Sequence, residues 1–191
     1  MLDLNFVNPF ILGAVEVLQI QCQIKLEGGK PFLKGKEVQP AFAISSAIGV
    51  ISDKFKGAIS LNFQESFYLS LLSNMLGEPI TEINNETQDG AAELLNMIYG
   101  SAKTQLNAKG YSLQKALPTV SRGQGIITSH GNKPVIVVPM RSDFGQMHLE
   151  ISVATGPITG DRGESSISER CRRIPAFRES PAEAQGGESV E

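Results

Sequence analysis

Asp89-Gly90-Ala91-Ala92-Glu93-Leu94-Leu95-Asn96 opens the longest helical pattern in the chain, from about Thr87 to Ala108. At about 100° per residue, Asp89, Glu93, Asn96, Gly100 and Lys103 project within roughly 40° of one direction. Ala91, Leu95, Ile98, Ala102 and Leu106 project on the opposite side. One face therefore packs and the other offers a carboxylate and an amide. By pattern alone, an ordinary solvated helix face accounts for Glu93 and Asn96. Gly100 is less ordinary, because glycine costs about 1 kcal/mol relative to alanine inside a helix. Its missing side chain admits either a close neighbour within the domain or the approach of another protein.

Upstream, Leu4 to Leu18 carries Phe6, Phe10, Ala14, Val17 and Leu18 near helical spacing. These residues read as a helix, and Pro9, which suits a first turn, makes Asn8 an alternative start. Short strand-like pieces follow at Cys22–Lys25 and around Phe32. Ala41–Ser52 and Phe55–Phe63, joined through Ser52-Asp53-Lys54, read as an antiparallel pair. In the first of these, Ala43, Ser45, Ala47 and Gly49 form a small-residue face that could lie beneath a closely packed helix. Residues Asn62 to Leu76 turn helical on Phe67, Leu71, Leu72 and Met75, and Gly77 with Pro79 ends that helix. Glu78 to Asp89 is a polar linker and N-cap region, its acids placed where the next helix dipole favours negative charge.

Downstream, Gly110 closes the long helix and Tyr111–Val120 leads into Ser121-Arg122-Gly123-Gln124-Gly125. Strands are expected at Ile126–Ser129, Pro134–Met140 and Gln146–Val153, with hairpins at Gly131-Asn132 and Ser142–Gly145. The fold class is α+β: a mostly antiparallel sheet covered by long helices.

With 191 residues, 41% of them hydrophobic, the chain can build one domain with a substantial core. That domain is assigned to residues 1–154. Residues 155–191 differ in kind: their large apolar side chains are only Ile158, Ile167, Ile174, Phe177 and Val190, and their basic residues are five Arg and no Lys. They read as a disordered tail. A formal net charge of −3, with no basic stripe, gives no general attraction to nucleic acid. No apolar run reaches the roughly 18 residues of a membrane span, and no signal peptide is evident, so a soluble cytoplasmic protein is expected. Cys22 and Cys171 form neither a disulfide framework nor a zinc pattern, and Cys22 reads as a small buried residue.

Other constellations carry less chemistry. Ser121, His130 and Asp143 lack a nucleophile elbow and an oxyanion-hole motif. His130 and His148 have no clustered acids or thiols with which to hold a metal. Gly123-Gln124-Gly125 precedes a strand, not the helix a phosphate-binding loop needs.

The order Asp89-x-x-x-Glu93-x-x-Asn96, then Gly100, Gly110 and Leu117-Pro118-Thr119-Val120-Ser121-Arg122-Gly123, resembles the CheX branch of the CheC/CheX/FliY chemotaxis phosphatases. The resemblance covers about residues 5 to 153. It implies hydrolysis of the phospho-aspartate of a CheY-like response regulator, with Asn96 orienting water and Glu93 docking on the regulator's lysine. Asp89 would help to dock or would cap its own helix, and Gly100 would face the partner. No cofactor is expected on this chain, since Mg²⁺ would sit in the regulator's acidic pocket. The first helix offers Glu16 and Gln19, with no Asn three residues after the Glu, so one site per chain is expected, as is a homodimer joined through sheet edges. The alternative is a non-catalytic chemotaxis or flagellar-switch module with the same fold.

Overall fold

A computed structural model describes residues 4–35, 40–52, 55–126 and 133–155. Helix α1 (Leu4–Cys22) leads to two short strands, β1 (Glu27–Gly28) and β2 (Phe32–Leu33). Strands β3 (Ile44–Ile51) and β4 (Phe55–Phe63) precede helices α2 (Glu65–Leu76) and α3 (Asp89–Ala108). Strands β5 (Pro118–Arg122), β6 (Val135–Ser142) and β7 (Gly145–Thr155) complete the described fold. Every described strand pairing is antiparallel, in the order β1-β6-β7-β4-β3-β5, with β2 also on β6. The expected α+β class and the β3–β4 pair are as read from sequence.

Register explains the core. Ile44, Phe63, Met147 and Met140 lie side by side across β3, β4, β7 and β6, and Ile48, Ile59, Ile151 and Ile136 form a parallel row. These rows are buried against Phe10, Ile11, Phe67, Leu71, Leu94, Leu95 and Ile98 of the three helices. Residues one step along each strand point to the other face. There Ser45, Asn62 and His148 form one row, and Ala47, Ser60 and Glu150 the next. The small face of β3 is thus turned away from the helices, contrary to expectation, because the larger Ile44, Ile48 and Val50 take the core side. Close helix approach occurs elsewhere: a Cβ on Gly13 of α1 would lie 3.4 Å from the Ile98 carbonyl oxygen of α3.

Helix α1 begins at Leu4, the first of the two starts read from sequence, with Pro9 inside it. An internal proline costs about 3 kcal/mol. Burying Phe6 and Val7, at about 1.5–3 kcal/mol each, offsets that cost. The helix also runs on through Cys22, so the strand expected at Cys22–Lys25 does not form; Gln23 has a φ of 53°. Strand β4 carries through Phe63, which delays α2 to Glu65. Gly77 ends α2 with a φ of 74°, and Gly110, with a φ of 81°, follows α3.

Strand β5 occupies a segment the sequence pattern left as a connection. It starts with proline and, among the described residues, pairs only with β3, as suits a short edge strand. Ser142 faces Gly145 across the expected β6–β7 turn. Of the expected strand Ile126–Ser129, Ile126 is not in a strand, and 127–129 lie outside the described residues, as do Gly131-Asn132, His130, Asp53-Lys54 and residues 156–191. The tail expected from 155 therefore falls outside apart from Thr155, which ends β7.

Candidate functional site

Helix α3 forms because Ala91, Leu94, Leu95, Ile98, Ala102 and Leu106 bury one stripe against α1 and the sheet. Its outer stripe carries Asp89, Glu93 and Gly100, all exposed, with Asn96 half-buried beside them. All four residues expected at the site therefore share one rigid element. A Cβ on Gly100 would meet nothing within 4 Å. Contact within the domain therefore does not explain this glycine, and its surface is open.

The start of α3 is anchored through its neighbours. Its N-cap, Gln88, makes no capping bond through its side chain. Asp89 lies in the first turn, where a carboxylate complements the helix dipole. The Tyr68 hydroxyl of α2 donates to the Thr87 carbonyl at 2.7 Å. Burial, with a smaller contribution from Asp89, pushes the Tyr68 phenol well above its usual range, so it remains a donor. Gly90 is the residue that sequence reasoning passed over. A Cβ there would lie 2.5 Å from Leu72 Cδ2 and 3.1 Å from the Tyr68 oxygen, so α2 and α3 meet across its bare backbone. A glycine directly after the acidic start of a helix was the available signal.

Farther along, Tyr99 buries its ring and donates from its hydroxyl to the Gln114 carbonyl at 2.7 Å. That bond holds the 111–117 connection against α3. Leu117, at the end of that connection, is 78% exposed. Beyond it, Val120 of β5 packs against the core.

The remaining candidates scatter. Ser121 is exposed on β5, and Asp143 lies in the β6–β7 turn, with β3, β4 and β7 between those strands. His148 is buried under Phe42, whose ring lies 4.9 Å away edge-on, and its burial lowers the imidazole pKa. Cys22 is free and buried, its thiol pushed up to about 11, which leaves it without thiolate reactivity near neutral pH. Glu16 and Gln19 are exposed on α1. Among the described residues no group of three His, Cys, Asp or Glu could hold a metal ion, and no helix is long and apolar enough to cross a membrane.

The family model described as "Chemotaxis phosphatase CheX" matches residues 44–141, a span from β3 through β6 that includes all of α3. The chain is 32% identical to CheX from Vibrio vulnificus, over 78% of this chain and 99% of that one, with a TM-score of 0.74. This chain belongs to the CheX family. A CheC-like superfamily protein from Shewanella sp. PV-4 is 33% identical to this CheX-family protein, covers 80% of it and 99% of itself, and gives a TM-score of 0.75. A chain of the CheX–CheY–BeF₃–Mg²⁺ complex from Borrelia burgdorferi has the same fold at 24% identity, with a TM-score of 0.66 over 78% of this chain and 97% of that one. Comparison with curated proteins gives no match.

Proposed function

We propose that this CheX-family protein hydrolyses the phospho-aspartate of a CheY-like response regulator. The observation that carries the proposal is the pair Glu93 and Asn96 on the outward stripe of α3, inside the span matched by the phosphatase family model. The complex of a structural relative with CheY, BeF₃ and Mg²⁺ supports the choice of partner.

An acyl phosphate needs no covalent help. It needs water held in line with the breaking P–O bond and charge stabilised on the equatorial oxygens. Asn96 suits the first task, since its amide both accepts from and donates to a water without bringing negative charge to the phosphoryl group. Correct placement is a large effect, because well-oriented groups reach effective molarities of about 10⁵ M or more. Glu93 docks on the regulator's lysine, Asp89 flanks that contact, and Gly100 lets the partner backbone approach. Mg²⁺ belongs to the regulator's own acidic pocket, and this chain supplies no cofactor. A homodimer joined through sheet edges belongs to the same reading, supported by β5 being the last strand of the sheet among the described residues, and light scattering checks it.

The test follows the decay of a phosphorylated CheY-like regulator with and without the protein. Acceleration by wild type, lost in Asn96→Ala while binding persists, is expected. An Asn96→Ala protein as active as wild type refutes the mechanism. Binding without any acceleration by wild type identifies an interaction module instead.

A further inference from the structure

The connection that delivers the chain into α3 is built as a closed unit. Asn84 Oδ1 accepts the backbone N–H groups of Glu86 and Thr87 at 2.9 and 3.0 Å. Thr87 Oγ1 accepts the Asn84 N–H at 2.7 Å and donates to the Glu82 carbonyl at 3.1 Å. These bonds fix the loop's internal shape. Ile80 and Ile83 pack partly buried against the core, the Ile80 N–H donates to Ser73 Oγ at 2.9 Å, and two further contacts orient the stretch that enters α3. On the core side Tyr68 holds the Thr87 carbonyl. On the solvent side Arg122 Nη1 donates to the Ile83 carbonyl at 3.2 Å, and Nη2 donates to Asn85 Oδ1 at 2.9 Å.

Arg122 is the last residue of β5 and pairs with Ile44, which places it on the helix-bearing face of the sheet edge. Its planar fork reaches two acceptors of the loop at once, a geometry that the single ammonium of lysine does not reproduce. The end of the loop nearest α3 is thereby tied both to α2 and to the sheet edge.

We propose that Arg122 is a positioning residue, holding from the edge strand the 83–88 loop and the first turn of α3, so that Asp89 meets the regulator in a fixed place. The proposal rests on the phosphatase function above. Arg122 touches no reacting atom. It acts by removing loop freedom before the partner arrives, so that docking does not have to supply the ordering. Glu93 and Asn96 lie farther into a helix already locked by Ala91, Leu94, Leu95 and Ile98, and their placement does not depend on the clamp.

The experiment combines regulator-dephosphorylation kinetics with amide hydrogen exchange on the full chain. Arg122→Ala is expected to raise the half-saturating regulator concentration on the order of fivefold, with a much smaller change in maximal rate. Arg122→Lys falls between it and wild type. Asn85→Asp, which keeps the acceptor, behaves as wild type, and Asn85→Ala shifts toward Arg122→Ala. Exchange at residues 83–90 quickens in Arg122→Ala while the β4 and β7 amides stay protected. Unchanged half-saturation, or unchanged exchange in the loop, overturns the proposal, as does a fall in maximal rate alone. If wild type fails to accelerate decay, the phosphatase function falls; loop exchange and the affinity of regulator loaded with beryllofluoride then decide the clamp by the same criteria.

Discussion

Asn96 and Gly100 separate two kinds of polar-face residue. Truncating Asn96 removes a half-buried amide from the surface of a helix held by other residues, so the fold is expected to survive while the proposed hydrolysis is lost. Asn96→Asp is expected to fail as well, since it sets a carboxylate beside a phosphoryl group; single-turnover decay of the phosphorylated regulator measures both variants. Gly100→Ala is expected to raise stability by about 1 kcal/mol in urea unfolding, because the new methyl clashes with nothing and the helix gains propensity. Gly100→Leu, equally tolerated by the fold, is expected to raise the half-saturating regulator concentration. The outward placement of these residues was legible in the sequence, since a 100° step needs no tertiary information. The emptiness around Gly100 was not, because it depends on what α1 and β5 leave uncovered.

Helix α3 was the most legible element, and β5 the least. Twenty residues of alternating stripes announce themselves, whereas Pro118-Thr119-Val120-Ser121-Arg122 is short, begins with proline and gains its strand geometry from β3. The start of α1 was left open between Leu4 and Asn8 because Pro9 is a local signal, here overruled by the burial of Phe6 and Val7. Gly90 belongs to this scale too, as the point where α2 and α3 touch. Gly90→Val is expected to cost about 1–3 kcal/mol by pushing on Leu72 and Tyr68, seen as a lower urea midpoint. It is also expected to loosen the start of α3, where faster amide exchange reports the change.

Across the molecule, the two faces of the sheet are stabilised by different physics. The helix side is apolar. The far side buries Glu150, 1% exposed, against Lys34 at 2.7 Å. Lys34→Met leaves that carboxylate without this partner, and a loss of about 3 kcal/mol is expected in chemical denaturation. His148 shares that face. Its burial lowers its pKa, opposed by Glu150 and reinforced by Lys34 and Arg141. The unfolded chain therefore takes up a proton that the folded chain resists. Stability should fall as pH drops below about 6.5 toward the lower folded value. His148→Gln is expected to flatten that slope between about pH 6.5 and 5.5, where most carboxylates remain ionised. The polar rows of this face escaped sequence reading because Ser45, Asn62, His148 and Glu150 are neighbours only through register. Finally, the proposed catalytic amide stands on a helix whose reverse side is the centre of the core. Among the described residues no separate lid or flap stands over it, so progressive urea or heat should extinguish the proposed hydrolysis and near-ultraviolet dichroism along one common curve.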